Sequence, residues 1–306
     1  MEKAVYPLII IGGGPAGLSA SIYSCRYGIK TLLLAPLGGG LASSADKIEN
    51  YPGFPEEISG MELVNKMKEQ AEKFGLEMAY AQVQKVETEG GIFSVFAEDN
   101  YYSRALIIAT GAEPNRLGVP GEDALRGRGV SYCATCDGPF FKGKSVIVVG
   151  GGDSALQEAL YLAQITRQVT LVHRREQFRG AAYLVDKIMA APNISLRLGS
   201  VITEIKGRER VEGAIIKNLK TGKEEFLPAD GIFIYVGIKP NSDLVKELVR
   251  LDQNGAIITD EMMRTSQEGI FACGDVRATP LRQIVTACAD GAIAATSVYH
   301  YLNPEK

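Results

Sequence analysis

Apolar positions fall into one arrangement that occurs twice along the chain. Leu8-Ile9-Ile10-Ile11 is an unbroken apolar run that stops at Gly12-Gly13-Gly14-Pro15-Ala16-Gly17; a helical stretch through Tyr27 follows, then a second apolar run over residues 31–34. This order predicts a strand, a glycine turn, a helix and a parallel strand. It returns as an apolar run over residues 145–149, the turn Gly150-Gly151-Gly152-Asp153-Ser154-Ala155, a helix through about Gln164 and a run over residues 169–172. The chain therefore contains an internal repeat of one βαβ unit.

Between the repeats, the pattern predicts a helix over residues 60–74 and alternating strands over 81–88, 92–97 and 101–110. After the second repeat come a strand over 269–273, a turn at Gly274-Asp275 and a helix over about 282–301. Two stretches rich in glycine and proline, 111–121 and 237–241, bracket the second repeat. They read as linkers or as ordinary turns; as linkers they enclose an inserted domain. A chain of 306 residues is long enough for two such domains, each with its own core.

Charge narrows the function. Lys and Arg total 33 against 36 Asp and Glu, for a formal net charge of -3, so no basic face is available for nucleic acid. The first apolar run is far shorter than a membrane span or a signal segment, and the expectation is a cytoplasmic chain with no membrane partner. Five cysteines, Cys25, Cys133, Cys136, Cys273 and Cys288, form an odd set with one close pair, unlike a secreted disulfide framework. With two histidines in all, a structural zinc site lacks ligands, and no metal is expected.

Both glycine turns stand between a predicted strand and a predicted helix, the context that phosphate binding requires. Glycine lets backbone approach a pyrophosphate, and the first free N–H groups of the helix offset its charge. The candidates are Gly12, Gly14, Pro15, Ala16 and Gly17 in the first turn, and Gly150, Gly152, Asp153, Ser154 and Ala155 in the second; the alternative for each is a tight turn without a ligand. His173, Arg174, Arg175 and Arg179 follow the last strand of the second repeat. Guanidinium groups at that strand end would pair with a 2′-phosphate, which favours NADPH over NADH, against a plain solvated basic run. The first repeat instead ends Leu34-Ala35-Pro36, where a carboxylate would accept ribose hydroxyls. Either another group holds the ribose or the nucleotide is bound less conventionally. Cys133-Ala134-Thr135-Cys136 can close and reopen a compact disulfide, or can be a buried thiol pair. Asp137 beside it serves either as an acid/base or as a turn residue before Gly138-Pro139. Cys25, Cys273 and Cys288 sit in apolar segments and read as packing residues.

Taken together, these motifs resemble the low-molecular-weight thioredoxin reductases, a branch of the two-dinucleotide-domain flavoproteins. The match includes GGGPAG at 12–17, ENYPG at 49–53, Thr110-Gly111, SYCATCDGPFF at 131–141, GGGDSA at 150–155, HRREQFR at 173–179, and CGDVR with RQIVTA over 273–287. The resemblance implies an α/β fold of two Rossmann-like dinucleotide-binding domains, with an NADPH and disulfide domain of residues 115–241 inserted into a discontinuous FAD domain of residues 1–114 and 242–306. It further implies that Asn50, Thr110, Gly111, Asp275, Arg282 and Gln283 contribute to FAD binding. Cys136 would face the flavin, Cys133 would attack the partner, Asp137 would be the acid/base, and Phe140 and Phe141 would meet thioredoxin, the alternative for these two being a place in the core. The expected partner is thioredoxin or a glutaredoxin-like protein, and the expected assembly a homodimer. Two departures stand out: the family has a glutamine in the loop written here as Gly38-Gly39-Gly40-Leu41, and Ala35-Pro36 replaces the usual ribose acceptor. Because nicotinamide and disulfide would share one flavin, a domain rotation is implied, with hinges expected at residues 118–121 and 237–240. The same motifs admit a related flavoprotein with another acceptor, either a peroxiredoxin reductase or a dithiol oxidase, or a flavin redox sensor that turns nothing over.

Overall fold

The computed structural model describes residues 5–37, 40–45 and 48–305. The chain divides into two compact units, Met1–Glu113 with Lys239–Lys306, and Pro114–Ile238.

In the first unit the strand Val5–Ile11 lies parallel between Thr31–Ala35 and Asn100–Ile108, and Glu77–Tyr80 extends the sheet beyond Thr31–Ala35. Leu8 and Ile10 belong to one apolar cluster, with Leu18, Leu33 and Val298; Ile9 and Ile11 belong to another, with Leu34, Leu106 and Ile257. Burial on both faces is what allows four apolar residues to stand in a row. The nine-residue strand Asn100–Ile108 devotes one edge to Val5–Ile11. Its other edge is shared, the first half antiparallel to Ile92–Phe96 and the second half parallel to Ile270–Ala272. Helices Pro15–Arg26 and Ile284–Leu302 cross so closely that a Cβ at Gly291 would collide with the Ala16 carbonyl.

The second unit repeats the plan with five parallel strands in the order Ile194–Arg197, Gln168–Val172, Ser145–Gly150, Gly231–Tyr235, Val130–Ser131. Leu156, Ala159 and Leu162 of the helix Asp153–Ile165 cover one face, against Val146, Val148 and Phe233. Ile202 and Ile216, from an antiparallel sheet of Ser200–Lys206, Gly213–Asn218 and Glu224–Pro228, cover the other against Ile147 and Ile232. The parallel sheets, helices and glycine turns are those of the expected α/β fold.

Three expectations change. The strand expected over 81–88 is two strands, Glu77–Tyr80 and Lys85–Glu89, because the chain leaves a parallel pairing with Thr31–Ala35 to enter an antiparallel one with Ile92–Phe96. The units part at 113/114 and 238/239, so residues 239–241 fall in the first unit. Residues 118–121 lie well inside the second unit and are anchored there. The buried Glu122 carboxylate accepts the Leu117 and Gly118 N–H groups at 3.0 and 2.7 Å, and the Pro120 carbonyl accepts the Ile205 N–H. A hinge at that place would have to break a buried, satisfied carboxylate.

Candidate redox centre and dinucleotide cradles

Cys133 and Cys136 form a closed disulfide with a Cα–Cα separation of 5.3 Å. Cys133 caps the N-terminus of the short helix Ala134–Asp137, whose start is fixed from several sides. Before it, the Tyr132 hydroxyl donates to Glu122 at 2.8 Å, the same carboxylate that gathers residues 117 and 118. The Cys133 N–H donates to Ser131 Oγ at 3.1 Å, and the Ser131 hydroxyl donates to Asp137 Oδ2 at 2.5 Å. After Cys133, the Ala134 N–H donates to the Tyr235 hydroxyl oxygen at 2.5 Å. Burial, with Glu158 and Asp137 nearby, pushes the Tyr235 phenol well above its ordinary range, so it stays protonated. Asp137 is thus held to the disulfide segment through Ser131.

Of the two aromatic residues that follow, Phe141 is packed inward: it meets Phe233 edge-on at 5.3 Å, and a Cβ at Gly231 would collide with its ring. Phe141 is partly buried against the core of the second unit, and Phe140 is half-buried.

Two cradles flank glycine turns. In the first, a Cβ at Gly12 would collide with the Ala109 carbonyl and one at Gly17 with the Gly12 carbonyl, so both glycines are demanded by close backbone packing. Gly14 precedes Pro15 at the start of a helix that has no side-chain cap and no acid in its first turn. Its leading N–H groups are therefore left to an anion. Around the turn at Asp275, the buried Asp290 carboxylate accepts the Gly274 N–H at 3.1 Å and two Arg277 bonds at 2.7 and 2.8 Å. Burial holds the Asp275 carboxyl above the usual range while Arg282 pulls it down. Arg282 Nε is buried without a hydrogen-bond partner. A buried N–H with no protein acceptor, beside a carboxylate and uncapped helix amides, fits a ligand with both phosphates and hydroxyls, as FAD has. Asn50 donates to Gln283 Oε1 at 3.0 Å, so these two candidates meet. Thr110 and Gly111 are drawn to the returning chain, the Thr110 hydroxyl donating to the Asn241 carbonyl at 2.7 Å and the Asn241 N–H to the Gly111 carbonyl at 3.0 Å. Gly38 and Gly39 of the departing loop lie outside the described residues.

In the second cradle a Cβ at Gly150 would meet the Tyr235 carbonyl and Ala155 Cβ, whereas one at Gly152 would stand in open space. Asp153 turns aside, accepting the Ala181 N–H at 2.7 Å, and the Arg179 N–H donates to the Gly151 carbonyl at 2.7 Å. This clasp carries Arg179 to the turn, near Arg174 and Arg175, which are exposed past the end of Gln168–Val172. Ser154 is exposed in the first helical turn. His173 behaves differently from the arginines: it is buried, its ring lies against Gly151 and Phe178, and burial together with Arg179, Arg175 and Arg174 lowers its pKa. It is a neutral wall of the turn, unlike the exposed guanidinium groups that follow it.

The environment of the remaining cysteines disfavours the thiolate, and Cys25 and Cys288 are partly buried. Burial raises the thiol pKa of Cys25, Cys273 and Cys288, and Cys273 is wholly enclosed. Among the described residues no group of histidines, cysteines and acids is placed to hold a metal, and no helix is long and apolar enough to cross a membrane.

The pyridine nucleotide-disulphide oxidoreductase family model matches residues 6–291. Thioredoxin reductase of Peptoclostridium acidaminophilum is 46% identical over 306 residues, covering 97% of each chain. That of Bacillus subtilis (strain 168) is 45% identical over 305 residues, covering 98% of this chain and 96% of the other. The crystal structure of thioredoxin reductase from Streptococcus pyogenes MGAS5005 superposes with a TM-score of 0.93 at 47% identity, over 99% of this chain and 100% of that one. With both glycine cradles and the disulfide inside the matched span, the chain belongs to the pyridine nucleotide-disulphide oxidoreductases, in their low-molecular-weight thioredoxin reductase branch.

Proposed function

We propose that the protein is an FAD-containing, NADPH-dependent reductase of thioredoxin or a glutaredoxin-like protein, working through Cys133 and Cys136. The observation that carries this reading is a closed two-cysteine disulfide at a helix start, in the same unit as a glycine cradle furnished with arginines. In this reading the first unit is the FAD domain and the second the NADPH and disulfide domain. Gly12, Gly14, Pro15, Ala16, Gly17, Asn50, Asp275, Arg282 and Gln283 hold FAD, and Thr110 and Gly111 shape the wall beside it. Gly150, Gly152, Ser154 and Ala155 receive the NADPH pyrophosphate, Asp153 and His173 brace that turn, and Arg174, Arg175 and Arg179 bind the 2′-phosphate. When bound, the two cofactors supply hydride transfer and the electron pair for the disulfide.

Two electrons and one proton convert the Cys133–Cys136 bond into a thiolate and a thiol. Asp137, tied to the segment through Ser131, holds and returns that proton. The Cys133 thiolate attacks the partner disulfide, forming a mixed disulfide and releasing a partner thiolate. Cys136, giving up its proton, then attacks the Cys133 sulfur of the mixed bond and expels the partner's second sulfur, which restores the internal disulfide; that proton and one from solvent leave the partner as a dithiol. Family resemblance supports a cytoplasmic homodimer, which sedimentation equilibrium tests. The activity itself is tested by anaerobic titration of the yellow holoenzyme with NADPH and, separately, NADH, followed by oxidised thioredoxin. Bleaching by NADPH and recovery of colour with thioredoxin are expected; bleaching without recovery would reject the acceptor.

A further inference from the structure

Tyr235 lies at a junction that the reaction scheme above leaves unused. It ends the strand Gly231–Tyr235. Its carbonyl is the atom that excludes a side chain at Gly150, the first glycine of the second cradle, while its hydroxyl takes the amide that follows Cys133. One residue thus touches the nucleotide turn with its backbone and the disulfide helix with its side chain. Glu158 belongs to the same assembly. It stands one turn before Tyr161 and Leu162 and two before Ile165, the residues that close around Gly138 just after Asp137, so it shares the helix face turned to the redox segment. Its Oε2 is buried without a hydrogen-bond partner, and that burial pushes its carboxyl pKa up.

We propose that Tyr235 is a positioning residue of the redox centre, tying the helix that starts at Cys133 to the strand end packed on the second cradle, and that with Glu158 it biases the cysteine pair toward the disulfide. The physical reason is a competition for one donor. An amide at a helix start stabilises a thiolate formed beside it. While the phenol oxygen holds the Ala134 N–H, that donor is spent in the disulfide state and is not offered to the thiolate. Glu158, wherever it ionises despite its raised pKa, disfavours added negative charge on the same helix face in the dithiol state.

The inference rests on the reductase reading, so wild-type holoenzyme is first required to turn over NADPH with thioredoxin; failure there defeats that reading and not the role of Tyr235. The holoenzyme and its variants are then equilibrated in a graded dithiol buffer, quenched by alkylation, and the Cys133/Cys136 state is read by mass. Tyr235→Phe keeps the ring and removes the acceptor. The equilibrium is expected to move about five-fold toward the dithiol, the worth of one net hydrogen bond, which is roughly 20 mV for a two-electron couple. FAD content and NADPH affinity should stay at wild-type values. Glu158→Gln should move the equilibrium the same way, about two-fold. An unmoved equilibrium in Tyr235→Phe, or a shift toward the disulfide, overturns the proposal. If that variant fails to retain flavin, Glu158→Gln decides alone, and no shift in it overturns the proposal equally.

Discussion

The two glycine cradles are built from the same strand, turn and helix, yet what surrounds them differs. Around the first, the constraints are almost all backbone: the Ala109 and Gly12 carbonyls dictate Gly12 and Gly17, and the helix opens with Pro15 and no acid. Around the second, side chains join in: the His173 ring walls Gly151 and the Asp153 carboxylate clasps residue 181, while Arg179 is bound back to the turn by its backbone N–H. The first strand pair ends in Ala35-Pro36 and the second in His173-Arg174-Arg175. In the proposed reading, phosphate binding is generic to the unit, while the choice of nucleotide falls to the strand end and the loop that returns to it.

Separating the two regions gives the largest expected effect. Cys133→Ser or Cys136→Ser removes the disulfide while leaving both cradles untouched. Thioredoxin reduction should fall by at least about a thousand-fold, as on loss of a nucleophile, while NADPH still bleaches the flavin in a stopped-flow trace. Next come the glycines. Gly17→Ala forces a Cβ into a carbonyl and should yield protein with little bound FAD, measured by its absorbance ratio. Gly152→Ala meets nothing in the protein, so FAD should remain and only NADPH binding should weaken, by roughly ten-fold. Equal FAD loss in both variants would break the contrast between a packed and an open cradle. Replacing Arg174, Arg175 and Arg179 together by alanine should raise the NADPH KM by roughly ten- to a hundred-fold, the worth of one or two charge-assisted bonds. The NADH KM and kcat should change little, and steady-state kinetics with each nucleotide reads both.

The smallest effect comes from His173. Its folded pKa is lowered chiefly by burial, so as pH falls below about 6.5 the unfolded chain takes up a proton that the folded one refuses. Stability is lost through that window, down to the folded pKa. Melting curves between pH 7.5 and 5 should therefore show a steeper fall for wild type than for His173→Gln.

Those experiments lean on features with very unequal traces in the sequence. Both βαβ units were legible because four or five apolar residues in a row, ended by glycines, have few other uses. The antiparallel sheet over residues 200–228 was not, since its strands carry Glu204, Lys206, Glu224 and Glu225 on an open face and blur the alternation. At the site, the cysteine pair and the arginines announced themselves by spacing. Tyr235, Glu122 and Ser131 did not: Tyr235 acts on residue 134 across about a hundred positions, and no local pattern records such a meeting. Glu158 left one faint sign, an acid four residues before Leu162 on an otherwise apolar stripe. The anchoring of residues 118–121 was likewise hidden, because glycine signals a turn and says nothing of the carboxylate that pins it.

Three thiols whose pKa burial raises also give the molecule a built-in tally. A gentle alkylating reagent at neutral pH meets little beyond the catalytic pair once that pair is opened, so each polypeptide gains two adducts when reduced and next to none when oxidised. The fraction of working centres in a preparation can then be counted directly from intact mass, without reference to colour or turnover.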